Sequence, residues 1–125
     1  MGIQFKYEIT KEISEKALEA IEVARKSGKL KKGANEVTKV VERGIAKLIV
    51  VANDTQPEEV VMHLPILSDE KNIPCIGVES KTELGAAAGL TVSCAAVAIV
   101  QEGDAKKIID EISKRTIGIK VGEKK

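Results

Sequence analysis

Lys47-Leu48-Ile49-Val50-Val51-Ala52 decides the fold, because a nearly continuous apolar run rich in β-branched residues suits a strand covered on both faces. Asn53-Asp54-Thr55-Gln56 then turns the chain, and Pro57-Glu58-Glu59 starts a helix, with proline at its first position and acids near the positive end of its dipole. Pro65 interrupts or restarts that helix before Asn72. A fully covered strand followed by a helix is the repeating unit of a layered α/β protein.

The same punctuation continues in both directions. Downstream, Pro74 precedes a second strand, Cys75-Ile76-Gly77-Val78, and Ser80-Lys81-Thr82-Glu83 matches a capping box that opens a helix closed by Gly89. Ala95-Ala96-Val97-Ala98-Ile99-Val100 is a third buried strand, after which Glu102-Gly103-Asp104 caps a final helix with Ala105, Ile108, Ile109 and Ile112 facing inward. Upstream, a helix begins after Thr10 and ends near Ser27-Gly28, with Ile13, Ala17, Ala20, Ile21 and Ala24 forming one apolar stripe. Lys29-Leu30-Lys31 adds a short edge strand. Right-handed crossovers between such strands predict a three-layer α/β/α sandwich around a mixed sheet of about four strands.

At 125 residues the chain fits one domain spanning 1–125, without internal repeats or linkers, and Gly122-Glu123-Lys124-Lys125 reads as a frayed tail. The 43% hydrophobic and 31% charged content describes a globular protein and excludes a disordered one. The N-terminus has no signal pattern and no segment approaches the roughly 20 apolar residues of a membrane span, so a cytoplasmic protein is expected. Cys75 and Cys94 lack Cys-x-x-Cys spacing and read as buried thiols in strands, not as a disulfide or a zinc site.

The overall charge of +1 hides a local excess. Between residues 25 and 47 stand Arg25, Lys26, Lys29, Lys31, Lys32, Lys39, Arg43 and Lys47, opposed only by Glu36 and Glu42. Within that stretch Asn35 is a good N-cap, Glu36 suits the first turn and Gly44 is a natural stop, so a helix is expected from about 36 to 43. At roughly 100° per residue from Asn35, Lys39, Arg43 and Glu36 fall within about 100° of one another, while Val40, Val37 and Val41 take the other side. The valines face a core, and Asn35, Glu36, Lys39 and Arg43 share the open side. Asn offers a donor and an acceptor, Glu accepts from base amino and imino groups, and Lys and Arg donate to guanine acceptors or phosphates. Such a set suits nucleic acid; the bland alternative is an amphipathic helix with a solvated face. Phe5 and Tyr7 are the only aromatic residues, which disfavours a stacking platform for single strands and favours structured RNA or duplex geometry.

Catalytic constellations do not assemble. His63, the only histidine, sits beside Met62 and Leu64 and reads as a surface or partly buried side chain. Leu84-Gly85-Ala86-Ala87-Ala88-Gly89 lacks both the dinucleotide fingerprint and the Walker ending, so its small residues point to close helix–sheet packing. Asp54, Glu58 and Glu59 are explained by a helix dipole before they are explained by magnesium. Leu90 and Val92 stand in an expected loop, where they either fold back on the core or cover a partner.

Three motifs, Lys-Lys-Gly-Ala-Asn-Glu-Val-Thr-Lys at 31–39, His-Leu-Pro-Ile-Leu at 63–67 and Leu-Gly-Ala-Ala-Ala-Gly-Leu at 84–90, resemble the archaeal L-seven-Ae kink-turn-binding ribosomal protein family, and the resemblance covers nearly the whole chain. It implies an α/β/α sandwich that binds kink-turn RNA, in which a bulge bends a helix beside tandem sheared G·A pairs. By that likeness Asn35, Glu36 and Lys39 read the sheared guanines, Gly33 lets the backbone approach, and Lys32 and Arg43 meet phosphates. Gln56 and Lys81 match positions near the extruded nucleotide, and Leu90 and Val92 cover its apolar surface. Thr91 replaces the acidic or amide residue of many archaeal relatives, which puts its side-chain contact in doubt. The likeness further implies a large-subunit ribosomal protein that also enters box C/D and H/ACA modification particles and ribonuclease P, with ribosomal, guide and ribonuclease P RNAs and scaffold proteins as partners. Neither catalysis, a cofactor nor a membrane is expected, and the free protein is expected to be a monomer. The competing classes are a small-molecule or phosphate-binding α/β enzyme and a protein confined to the ribosome.

Overall fold

The structure, a computed structural model, describes residues 11–52, 54, 63–71 and 73–118. Helix α1 (Lys11–Ser27) leads into strand β1 (Lys29–Lys32), helix α2 (Ala34–Glu42) and strand β2 (Leu48–Ala52). Helix α3 (Leu64–Glu70), strand β3 (Cys75–Val78), helix α4 (Lys81–Ala87) and strand β4 (Ala96–Gln101) follow. A 3-10 turn at Gly103–Ala105 enters the last helix, α5 (Lys106–Gly118). Phe5, Tyr7, Gln56, the expected helix start at Pro57 and the tail at 122–125 lie outside the described residues.

Among the described residues the strands form one sheet in the order β1-β4-β2-β3. Only β2 and β3 run parallel; β4 is antiparallel to both neighbours. The sheet is therefore mixed, and parallel crossovers do not connect every strand.

Alternation along the strands sends side chains to two separate cores. Leu48, Val50, Ala52, Ile76, Val78, Val97 and Ile99 pack with α1, α4 and α5, including the whole predicted stripe Ile13, Ala17, Ala20, Ile21 and Ala24. Ile49, Val51, Cys75, Ala96 and Ala98 pack with α2 and α3 through Val37, Val40, Val41 and Leu64. These are the three expected layers. Each fully buried Ile or Leu, such as Ile21, Leu48 or Ile99, contributes about 1.5–3 kcal/mol of burial. No helix among the described residues is long and apolar enough to cross a membrane.

Candidate nucleic-acid interface

Register places four segments at one end of the sheet. Lys32 pairs with Val97, Ala96 with Val51, and Ala52 with Val78, so the last residues of β1, β2 and β3 lie level with the first of β4. Gly33 and the start of α2, the turn after β2, the start of α4 and the loop entering β4 all meet there. Backbone bonds tie them together. The Gly33 amide donates to Ala96 O at 2.8 Å, Ala52 N to Ala95 O at 2.9 Å, and Cys94 N to Lys81 O at 3.0 Å. Lys81 N in turn donates to Asp54 Oδ1 at 2.9 Å.

Helix α2 begins two residues earlier than its sequence suggests, because Gly33 and not Asn35 is the N-cap. Gly33 adopts φ 97 and ψ 147, turning β1 directly into the helix, and no side chain caps the helix start. Asn35 is therefore inside the first turn, with its side chain exposed and uncommitted to capping. Open amides at a helix start, next to a residue without a side chain, suit an anionic or base acceptor approaching along the axis. Glu36 and Lys39 are both exposed and pair at 3.7 Å, which holds their heads together on the open face. Such an exposed pair is worth little to stability, so its value lies in presentation. Val37, Val40 and Val41 are buried beneath, as the helix wheel requires. At the other end Gly44 N donates to Val41 O at 2.9 Å and Ile45 N to Val40 O at 3.1 Å, a Schellman closure with Gly44 at φ 72.

Helix α4 starts differently. The Ser80 hydroxyl accepts from Glu83 N at 3.3 Å, the predicted capping bond, and Gly89 closes the helix with φ 83. Lys81 is half-buried at the first position of α4. The following loop separates the two apolar residues that the sequence grouped. Leu90 packs partly against the core beside α1, whereas Val92 is 67% exposed next to exposed Thr91. Leu90 thus acts as the loop's staple and Val92 faces outward.

The basic stretch is also divided. Lys32 stands at the end of β1 beside Gly33 and Asn35, while Arg43 lies at the C-cap of α2, eight residues and about 12 Å along the axis from Asn35. Lys26, Lys29 and Lys47 sit at the opposite end of the sheet, where Lys29 is level with Gln101 and Lys47 N donates to Ile99 O at 2.6 Å. The eight cations do not form one face. His63 is exposed, with Nε2 2.8 Å from Thr38 Oγ1, joining the start of α3 to α2. That link was invisible in the sequence. Both cysteines are unbridged and buried, Cys75 within β3 and Cys94 in the loop before β4 instead of in the strand. Burial pushes the Cys75 thiol up to about 12, the Ser68 hydroxyl acting in the opposite direction, so it is neutral and unreactive at physiological pH.

The three-layer α/β/α sandwich thus gathers a helix start without a side-chain cap, Lys81 and the end of the loop entering β4 at one sheet end, the architecture of a layered α/β protein. Residues 15–109 match the model of the Ribosomal protein L7Ae/L30e/S12e/Gadd45 family, and the chain belongs to that family. Among solved structures it is similar to the Giardia lamblia 15.5kD RNA binding protein, at 30% identity with a TM-score of 0.82, over 93% of this chain and 94% of that one. With this membership the protein is non-enzymatic, and the reading as a small-molecule or phosphate-binding enzyme is set aside.

Proposed function

We propose that this protein binds kink-turn RNA and stabilises its bent form, through Asn35, Glu36 and Lys39 on the sheared G·A pairs and Lys32 and Arg43 on the phosphates. One observation carries the reading: three polar side chains of different hydrogen-bonding character stand exposed together over the first turns of a helix that no side chain caps. Asn and Glu together satisfy both donors and acceptors of a guanine edge, and Lys supplies a further donor. The structural similarity to a protein described as RNA-binding supports the same direction. Lys81 and Val92, with Gln56, take the extruded nucleotide, and Gly33 allows the RNA backbone to come close. Thr91 stands at the rim of that contact.

The RNA exists as bent and unbent populations, and a protein that binds only the bent one shifts the balance by its differential affinity. In the cell the partners are ribosomal RNA in the large subunit, box C/D and H/ACA guide RNAs, ribonuclease P RNA and the scaffold proteins of those particles, in the cytoplasm. A gel-shift series against a kink-turn and a straight duplex of equal length tests the reading: tight binding to the first and weak, salt-sensitive binding to the second is expected. Equal affinity for both overturns it. Co-purification with guide RNAs separates this role from a protein that never leaves the ribosome.

A further inference from the structure

The loop that carries Val92 is fastened to α4 at one residue that no contact with RNA would single out. Gly85 is buried in the middle of α4, and a Cβ built there would collide with the Val92 carbonyl oxygen and lie 3.2 Å from the Ser93 Cα. The Gly85 carbonyl accepts from Leu90 N at 2.9 Å, so the same residue holds both the beginning and the middle of the loop. Four residues earlier in the helix, Lys81 O receives Cys94 N at 3.0 Å. The loop therefore runs back along one flank of α4, pressed against the helix where the side chain is missing. It ends at Ala96, whose carbonyl takes the Gly33 amide at the start of α2.

We infer that Gly85 is a positioning residue for RNA recognition: by admitting the Val92 carbonyl against its Cα, it sets the outward placement of the Val92 side chain relative to the start of α2. The inference rests on the kink-turn reading above and deepens it. The sequence suggests a different reason for glycine here, close packing of α4 on the sheet, whereas the atoms that exclude a side chain belong to the loop. Thr91, Val92 and Ser93 are exposed, so the stretch between the Leu90 staple and buried Cys94 has no burial of its own to fix its shape. Contacts with Gly85, Lys81 and Ala96 hold it instead. A methyl group at 85 moves the loop outward at Val92 while leaving α2 and its polar residues in place.

A double-mutant cycle on kink-turn RNA tests this, since residues acting through one another are non-additive and independent ones add. Gly85→Ala should lower affinity about tenfold, and Val92→Ser should lower it alone but cost at most about twofold more in the Gly85→Ala background. Asn35→Ala should cost its full amount in both backgrounds. A fully additive Gly85–Val92 pair, or wild-type affinity in Gly85→Ala, overturns the inference while the kink-turn reading stands. If Val92→Ser binds as wild type, Gly85 has no RNA contact to position and the inference also fails. Wild type that does not prefer the kink-turn over straight duplex overturns both. Should Gly85→Ala be partly unfolded, the measurement is repeated in trimethylamine N-oxide, which restores the folded fraction without relieving the collision. Affinity that then returns to the wild-type value overturns the positioning role, and a persistent deficit supports it.

Discussion

Helices α2 and α4 end alike and begin in opposite ways. Both close on a left-handed glycine, Gly44 and Gly89, with the paired backbone bonds of a Schellman motif. At its start α4 is sealed twice, by Ser80 on the Glu83 amide and by Asp54 on the Lys81 amide. The start of α2 has only Gly33, whose single amide is turned away to Ala96. A helix whose opening amides are already satisfied inside the protein is structural at that end. One left open, with polar side chains around it, is stable only because Val37, Val40 and Val41 anchor it from beneath, and its free donors are available to a ligand.

The largest effect should come from disturbing the residue that turns β1 into the open start. Gly33 occupies a backbone region almost reserved for glycine, and nothing lies within 4 Å of where its Cβ would be, so conformation and not space is the obstacle. Gly33→Ala should cost about 1–3 kcal/mol of stability in a thermal melt and weaken kink-turn binding as the helix start twists. A melting temperature equal to wild type would break the distinction between the two helices.

Asn35→Ala and Glu36→Ala should each weaken kink-turn binding by about 1–3 kcal/mol with an unchanged melting temperature, read by gel shift and circular dichroism. Equal affinity in both variants would leave the open start without a function. The mirror experiment is Ser80→Ala, which should lower stability by about 0.5–1 kcal/mol and leave RNA affinity alone. Leu90→Ser sharpens the same contrast within the loop: a loss of about 1 kcal/mol in stability is expected, since Leu90 packs against the core. The smallest effect belongs to Lys32→Gln, which should reduce the salt slope of binding by about one unit, measured as affinity between low and moderate salt.

Legibility followed the range of the interactions. The stripe Ile13, Ala17, Ala20, Ile21 and Ala24 and the strands β2, β3 and β4 are found within about a residue of their sequence-based bounds, because burial pattern is a local signal that packing reinforces. The Ser80 capping box is equally local and forms as written. The start of α2 was misplaced because Asn is the stronger N-cap by propensity, yet β1 pairs with β4 up to Lys32 and leaves a single residue to make the turn. The cations of residues 25–47 are neighbours in sequence but not in space, since β1 and α2 each cross the molecule between them. Gly85 resisted reading for the same reason: its partner is seven positions away in a loop, and nothing in either segment announces the contact. Among the proposed contacts, Glu36 and Lys39 pair on the exposed face that Asn35 shares, Lys81 lies at that sheet end, Val92 lies against Gly85 about one helical turn along α4 from Lys81, and Gln56 lies outside the described residues.

Strand β1 is four residues long, occupies one border of the sheet, is irregular between Lys29 and Leu30, and exposes Lys29, Lys31 and Lys32. A border strand with unpaired amides is where a second molecule would add its own sheet and begin an aggregate. Here an identical strand drawing alongside would have to bring lysines against lysines, and the irregular start spoils a long match. On the proposed reading, the strand whose Lys32 meets RNA at one end thus also keeps unbound copies apart along its length. Raising salt would weaken both effects together, so conditions that loosened such a phosphate contact would also be those in which the lysines of this border protect it least.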